Sequence, residues 1–239
     1  MQKIKSYFRN GGFMNIKKII QLAIIICLMG VIGCNSNTQT NNADYLICNK
    51  TTKECIIVDP ADQPSRVVAR CNDLGMKPVA ILLTHGHFDH ILGADGLRMQ
   101  YGIPIYVHER EEALMGDGAY NLSSMWAETY TLKADKTVKD QELLELAGFT
   151  IEVIHTPGHT IGSCCYYIKE QNTLISGDTL FYRSVGRTDF PTSRTRSLIL
   201  SIKDKLFILP DDTLVYPGHG ESTTIEDEKI YNPVAPYCK

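Results

Sequence analysis

The 239-residue sequence predicts an α/β fold, a sheet-based core covered by helices. Two observations carry that expectation. Short β-rich runs alternate with helical patterns along the chain, and the run Val79 to Leu83 is apolar throughout, as a strand buried on both faces requires. Taken in order, Tyr45 to Cys48 and Cys55 to Val58 read as paired strands around the turn Asn49-Lys50-Thr51-Thr52. Pro64 to Leu74 reads as a helix, with Pro64 in its first turn and Gly75 as its stop. After the Val79 strand, Ile91 to Tyr101 is expected to be helix and Ile103 to Val107 strand. Further strands are expected at Thr150 to Ile154, Cys164 to Ile168, Thr173 to Ile175 and Thr213 to Val215. Leu198, Ile199, Ile202 and Leu206 recur at helical spacing.

Composition limits the partners. Hydrophobic residues make up 44% of the chain and charged residues 21%, the balance of a globular protein. The formal net charge of −3 comes without a basic stripe, so no nucleic-acid partner is expected. No stretch reaches the roughly 18 apolar residues of a membrane span.

The first residues differ in kind from the rest. Lys3, Lys5, Arg9, Lys17 and Lys18 are basic, no acidic residue precedes Asp44, and an apolar run from Ile19 to Gly33 ends at Cys34. A basic segment, a short greasy segment and small terminal residues are the layout of a secretory leader, here residues 1–33, with Met1 or Met14 as its start. Val31-Ile32-Gly33-Cys34 resembles the lipobox of bacterial lipoproteins, which implies a lipid anchor at Cys34 and a place on the cell membrane or outside it. The other reading makes the apolar run a buried N-terminal strand or helix and leaves the protein cytoplasmic. Residues 34–43 are polar apart from Cys34 and Ala43 and read as a tether, so the folded domain is expected over 44–239. Cys48, Cys55, Cys71, Cys164, Cys165 and Cys238 show no disulfide spacing, and all six are expected to be buried thiols.

The chemistry concentrates in Thr84-His85-Gly86-His87-Phe88-Asp89-His90, directly after the Val79 strand. His85 and His87 are two apart, so in extended backbone they project to one side and can chelate one ion. Asp89 and His90 fall where the chain turns into a helix and can face a second. Three imidazoles and a carboxylate in six positions are hard to explain as packing, because each polar group would need its own partner. His159, Asp178 and His219 each follow another expected strand and each sits beside glycine, in Pro157-Gly158-His159, Gly177-Asp178 and Gly218-His219. His155 is expected to support the site or simply to close its strand. Arg187 and Asp189 read as a loop ion pair, and Tyr166 and Tyr167 alternate faces, which places one of them in the core.

The order His-x-His-x-Asp-His, His, Asp, His resembles the metallo-β-lactamase superfamily, and the likeness runs over nearly all of Asp44 to Pro233. It implies a four-layer αββα sandwich with its site at one edge of two sheets. It also implies two divalent metal ions, zinc in the first instance, with iron or manganese also compatible with His and Asp. On that pattern His85, His87 and His159 would hold one ion, Asp89, His90 and His219 the other, and Asp178 would bridge. Within the superfamily the stretches His85 to His90, His155 to Thr160, Ser176 to Phe181, Gly186 to Asp189 and Pro217 to His219 with Thr223 to Ile225 are similar to small hydroxyacylglutathione hydrolases (glyoxalase II). Asp178 and His90 depart from the zinc β-lactamases.

The implied reaction is hydrolysis of a thioester or related ester by a metal-bridging hydroxide. Two cations lower the pKa of a shared water from about 15.7 toward 7, and Asp89 would orient the nucleophile. Twenty residues follow His219, with Lys229 and Lys239 the only basic ones. Larger glyoxalase II enzymes hold glutathione with a helical C-terminal domain, so here leaving groups are expected to differ by less than roughly tenfold. Two rival readings remain at this level. One is an iron(II) persulfide dioxygenase using His87, His159 and Asp178 as a facial triad. The other is a non-catalytic, lipid-anchored metal-binding protein.

Overall fold

The computed structural model describes residues 24–28, 44–61, 63–125 and 128–238, and these form a four-layer αββα sandwich. The first sheet runs in the order β1-β2-β3-β4-β5-β6. Its strands are β1 (Ile24–Leu28), β2 (Tyr45–Asn49), β3 (Glu54–Val58), β4 (Lys77–Leu82), β5 (Ile105–His108) and β6 (Lys136–Val138). β1, β2 and β3 pair antiparallel, whereas β3 to β6 are parallel. Helices α1 (Pro64–Leu74), α2 (Phe88–Ile91), α3 (Ala94–Tyr101) and α4 (Glu112–Met115) belong to the crossovers those parallel strands require.

The second sheet contains β7 (Leu143–Leu146), β8 (Phe149–His155), β9 (Cys164–Ile168), β10 (Thr173–Gly177), β13 (Leu214–Pro217) and β14 (Thr223–Thr224), in the order β14-β13-β10-β9-β8-β7. Between β10 and β13 lie the small hairpin β11 (Leu180–Phe181) and β12 (Ser184–Val185), then α5 (Thr195–Ser201), which continues into a π-helical turn at Ile202–Leu206. α6 (Ile225–Tyr231) follows β14, and the Thr224 hydroxyl caps it by accepting the Asp227 N–H.

Three apolar clusters hold the layers together. The central one joins Tyr45, Ile47, Ile56, Val58 and Leu82 of the first sheet to Ile151, Val153, Tyr166, Ile168 and Ile175 of the second. The alternate residues Leu46, Ile57, Ile81 and Ile105 face outward onto Val67 and Cys71 of α1 and Leu97 of α3. The outer face of the second sheet packs Cys165, Tyr167 and Leu174 against Leu198, Ile202, Leu206 and Ile225. Each fully buried Ile or Leu contributes about 1.5–3 kcal/mol relative to exposure, so the period-2 alternation fixes the register. Two tyrosines also tie sheet to sheet: Tyr166 Oη donates to Leu83 O at 2.8 Å, and Tyr45 Oη donates to Pro217 O at 2.6 Å.

Several expectations change in detail. Both Tyr166 and Tyr167 are buried, because β9 is covered on both faces. The helix expected over Ile91 to Tyr101 is two helices, since Gly93 turns onto Pro60 and donates to its carbonyl at 2.9 Å. β5 begins at Ile105, two residues late, after Pro104. Five of the six thiols are buried, but Cys238 is exposed in a 3-10 turn near the C-terminus. The apolar N-terminal run, read as part of a leader, supplies β1 at residues 24–28, paired with β2 from Ile24↔Asn49 to Leu28↔Tyr45. The remainder of the leader, Cys34 and the tether lie outside the described residues. Among the described residues no helix is long and apolar enough to cross a membrane.

Candidate metal centre

Four strands deliver polar loops to one edge of the sandwich, each from its C-terminal end. β4 leads into residues 84–90, β8 into the loop carrying His159, β10 into Asp178, and β13 into His219. The seven residues expected from the sequence all meet there. His85, His87 and His159 bring ligand atoms within 4.8 Å of one another, and so do Asp89, His90 and His219. His87 Nδ1 and His159 Nε2 are 2.9 Å apart, and His90 Nε2 and His219 Nε2 are 3.3 Å apart. Asp178 lies between the groups, with Oδ2 3.6 Å from His159 Nε2 and 3.5 Å from His219 Nε2, and Oδ1 3.4 Å from His90 Nε2.

Close approach to the Asp178 carboxylate depends on glycine. A Cβ on Gly218 would stand 2.2 Å from Asp178 Oδ1 and 2.8 Å from His90 Cε1, so only a bare backbone lets β13 reach the carboxylate.

The electrostatics suit cations. His85, His87, His90 and His159 are 1–2% exposed, whereas Asp89 and His219 are 28–29% exposed and mark the open side. Burial, reinforced by neighbouring imidazoles, holds the His85 and His87 pKa values well below the usual range. Burial also lowers His159. These rings are neutral, the form that ligates. His90 behaves otherwise: burial depresses its pKa, but Asp178, Asp89 and Asp59 outweigh burial and raise it to about 10, and a cation at Nε2 would take the place of the proton there. His85 Nε2 and Asp178 Oδ1 are buried without a hydrogen bond among the described residues. An orphaned buried polar group costs about 1–3 kcal/mol, and cations between the two histidine groups would satisfy both atoms. Imidazole and carboxylate donors of this kind fit two divalent ions, and zinc, iron and manganese all accept them.

Asp59 is the functional residue that the sequence reading missed. It lies after β3 with φ 46°, is 2% exposed, and accepts three hydrogen bonds. Oδ1 takes the Thr84 N–H at 2.7 Å, while Oδ2 takes the Thr84 hydroxyl at 2.5 Å and His90 Nδ1–H at 3.0 Å. It therefore fixes the start of the histidine loop and directs His90 Nε2 toward the centre. The only available signal was a lone carboxylate following an apolar strand, in Val58-Asp59-Pro60.

The supporting residues divide. His155 stands apart from the ligand groups, stacked on His108 with ring centroids 4.0 Å apart and its Nε2 3.1 Å from Ile161 O. Arg187 and Asp189 form an exposed ion pair, as a plain loop pair would. The backbone carbonyl of Arg187, by contrast, accepts His159 Nδ1–H at 2.8 Å and sets the orientation of that ring. Half-buried aromatic rings lie beside both groups, Phe190 5.4 Å from His87 and Phe181 6.2 Å from His219 between centroids.

Known proteins are similar to this chain. The chain is 38% identical over 194 residues to the probable metallo-hydrolase YqgX of Bacillus subtilis, covering 80% of this chain and 90% of that one. It is 34% identical over 184 residues to the hydroxyacylglutathione hydrolase GloC of Haemophilus influenzae, with 76% and 87% covered. Among solved structures, that of the BLEG-1 B3 metallo-beta-lactamase superposes with a TM-score of 0.78 at 38% identity, over 82% of this chain and 95% of that chain. The family model described as metallo-beta-lactamase superfamily matches residues 38–219, a span that takes in every residue of the two histidine groups and Asp178. By fold, by site and by these matches, the chain belongs to the metallo-beta-lactamase superfamily.

Proposed function

We propose that this metallo-hydrolase relative is a dinuclear, metal-dependent thioester hydrolase. His85, His87 and His159 hold one ion, Asp89, His90 and His219 hold the second, and Asp178 lies between them. The observation that carries this reading is the position of Asp178, within 3.6 Å of imidazole nitrogens from both groups. Zinc is the first choice of metal. Two bound divalent ions would acidify a water and polarise an acyl carbonyl.

The chain's own residues supply the rest. Asp89, on the open side with Oδ2 3.5 Å from His219 Nε2, orients the attacking water, accepts its proton and returns it to the sulfur as the C–S bond breaks, which releases the acid and the thiol. Asp59 and the Arg187 carbonyl keep His90 and His159 in the tautomers that turn Nε2 inward. Phe181 and Phe190 give a small acyl group apolar walls and shield it from bulk water. The thioester preference is supported by the likeness to GloC, described as a hydroxyacylglutathione hydrolase.

The decisive test is a substrate panel on the full chain loaded with Zn(II), Fe(II) or Mn(II). It would include lactoylglutathione, a small-thiol ester, an oxygen ester, a lactone, a β-lactam and glutathione persulfide with oxygen uptake recorded. The expected result is the highest kcat/KM for the thioesters. Oxygen uptake with persulfide and no hydrolysis would instead establish the dioxygenase reading, and turnover of nothing would establish the non-catalytic one.

The site of action rests on the N-terminal segment. The basic leader ending at Val31-Ile32-Gly33-Cys34 supports export and a lipid anchor at Cys34, which we propose. β1 weighs on the other side, because cleavage before Cys34 would remove residues 24–28 from the sheet.

A further inference from the structure

Glu111 is 0% exposed, at the residue before α4, and forms no ion pair among the described residues. Its carboxylate bonds to two loops at once. Oε1 accepts the Gly86 N–H at 3.0 Å and Oε2 accepts the Gly162 N–H at 2.7 Å. Gly86 lies between His85 and His87, and Gly162 lies three residues after His159. One buried carboxylate thus joins the two loops that carry this group of histidines.

The two glycines leave room for it. A Cβ on Gly162 would stand 2.4 Å from Glu111 Oε2, and a Cβ on Gly86 would stand 2.4 Å from Met115 Cγ and 3.3 Å from Glu111 Cγ. Both N–H groups are therefore bare and directed at an acceptor that water does not reach. A carboxylate takes two or more such donors, whereas an isosteric amide accepts on one arm and presents N–H to the donor on the other.

We propose that Glu111 is a positioning residue that sets the spacing of the His85–His87 loop against the His159 loop, and so tunes the affinity and geometry of that three-histidine site alone. The inference rests on the ligand assignment proposed above.

The test is Co(II) titration of the full chain and of Glu111→Gln, followed by visible absorption, with binding constants from chelator competition. Second-sphere partners of metal ligands are typically worth 10–100-fold in affinity. Glu111→Gln should lose that factor at one of two sites, change the absorption bands of that site, and leave the other unchanged. Glu111→Asp keeps both acceptors at shorter reach and should fall between the two, which keeps the test open if Glu111→Gln fails to fold. Glu109→Gln, on the exposed Lys139 pair, should match the parent. Equal affinities and identical spectra for parent and Glu111 variants would overturn the proposal, as would equal weakening of both sites, the mark of a general structural role. A parent chain that binds no Co(II) would instead overturn the ligand assignment itself, and this inference with it.

Discussion

Replacing Asp59 with asparagine should weaken one metal site without touching a ligand. In the parent, Asp59 Oδ1 serves the Thr84 N–H, and Oδ2 serves both the Thr84 hydroxyl and His90 Nδ1–H. In Asp59→Asn the remaining carbonyl stays with the backbone N–H, and the new NH2 faces the other two. The Thr84 hydroxyl can rotate and accept. His90 can answer only by releasing its Nδ1 proton and carrying one on Nε2, the nitrogen that stands 3.4 Å from Asp178 and 3.3 Å from His219. Ligation through Nε2 then requires giving up that tautomer or breaking the new hydrogen bond. A hydrogen bond to a charged group is worth about 1.5–3 kcal/mol, or roughly 10–100-fold in affinity for the ion near His90. Chelator competition, with the metal-induced rise in Tm as a second readout, would measure it. Two sites of parental affinity in a folded Asp59→Asn protein would refute the argument that Asp59 sets the His90 tautomer.

Three further outcomes follow. Gly218→Ala removes no donor, yet its Cβ meets Asp178 Oδ1 at 2.2 Å, so metal content and hydrolysis should both collapse; a fully loaded, active variant would contradict the packing argument. Burial, aided by His155 and Arg110, pushes the His108 pKa down to about 4, whereas an unfolded histidine titrates near 6.5. Between those values the unfolded chain binds a proton that the folded chain refuses, so stability is full above about pH 6.5 and falls toward pH 4. That loss should be about 2 kcal/mol between pH 7.5 and 5, and urea melts should show it diminished in His108→Phe; parallel pH profiles would sink the assignment. Finally, Cys34→Ala should abolish lipidation and leave the precursor uncleaved, as read by mass spectrometry of the native protein. A mature native chain that keeps residues 24–28 would show β1 to be part of the working fold and end the anchor proposal.

The sequence made the site legible because ligand chemistry is local. Residues 84–90 announce themselves in one heptad, and His159, Asp178 and His219 follow apolar runs that could only be strands. The helix at Pro64–Leu74 and the strand at Cys164–Ile168 match their expected bounds, since proline, glycine and apolar runs are strong punctuation. What escaped depends on contacts far apart in the chain. Asp59 and Glu111 act through loops 25 to 51 residues away, and no spacing rule relates them to their partners. β6, β11, β12 and β14 span two or three residues each, too short for any periodicity to register. The break at Gly93 follows from packing on Pro60, which the helical pattern of Ile91 to Tyr101 could not contain.

The number of metal ions that the chain holds tests the dinuclear centre most directly. Parent protein and Asp178→Asn, each loaded with Zn(II), freed of excess by gel filtration and analysed for metal per chain, give that number. Two ions in the parent, and a loss of at least one with abolished thioester hydrolysis in the variant, are the predicted result. One ion or none in the parent, or two ions and full activity in the variant, would contradict the dinuclear centre.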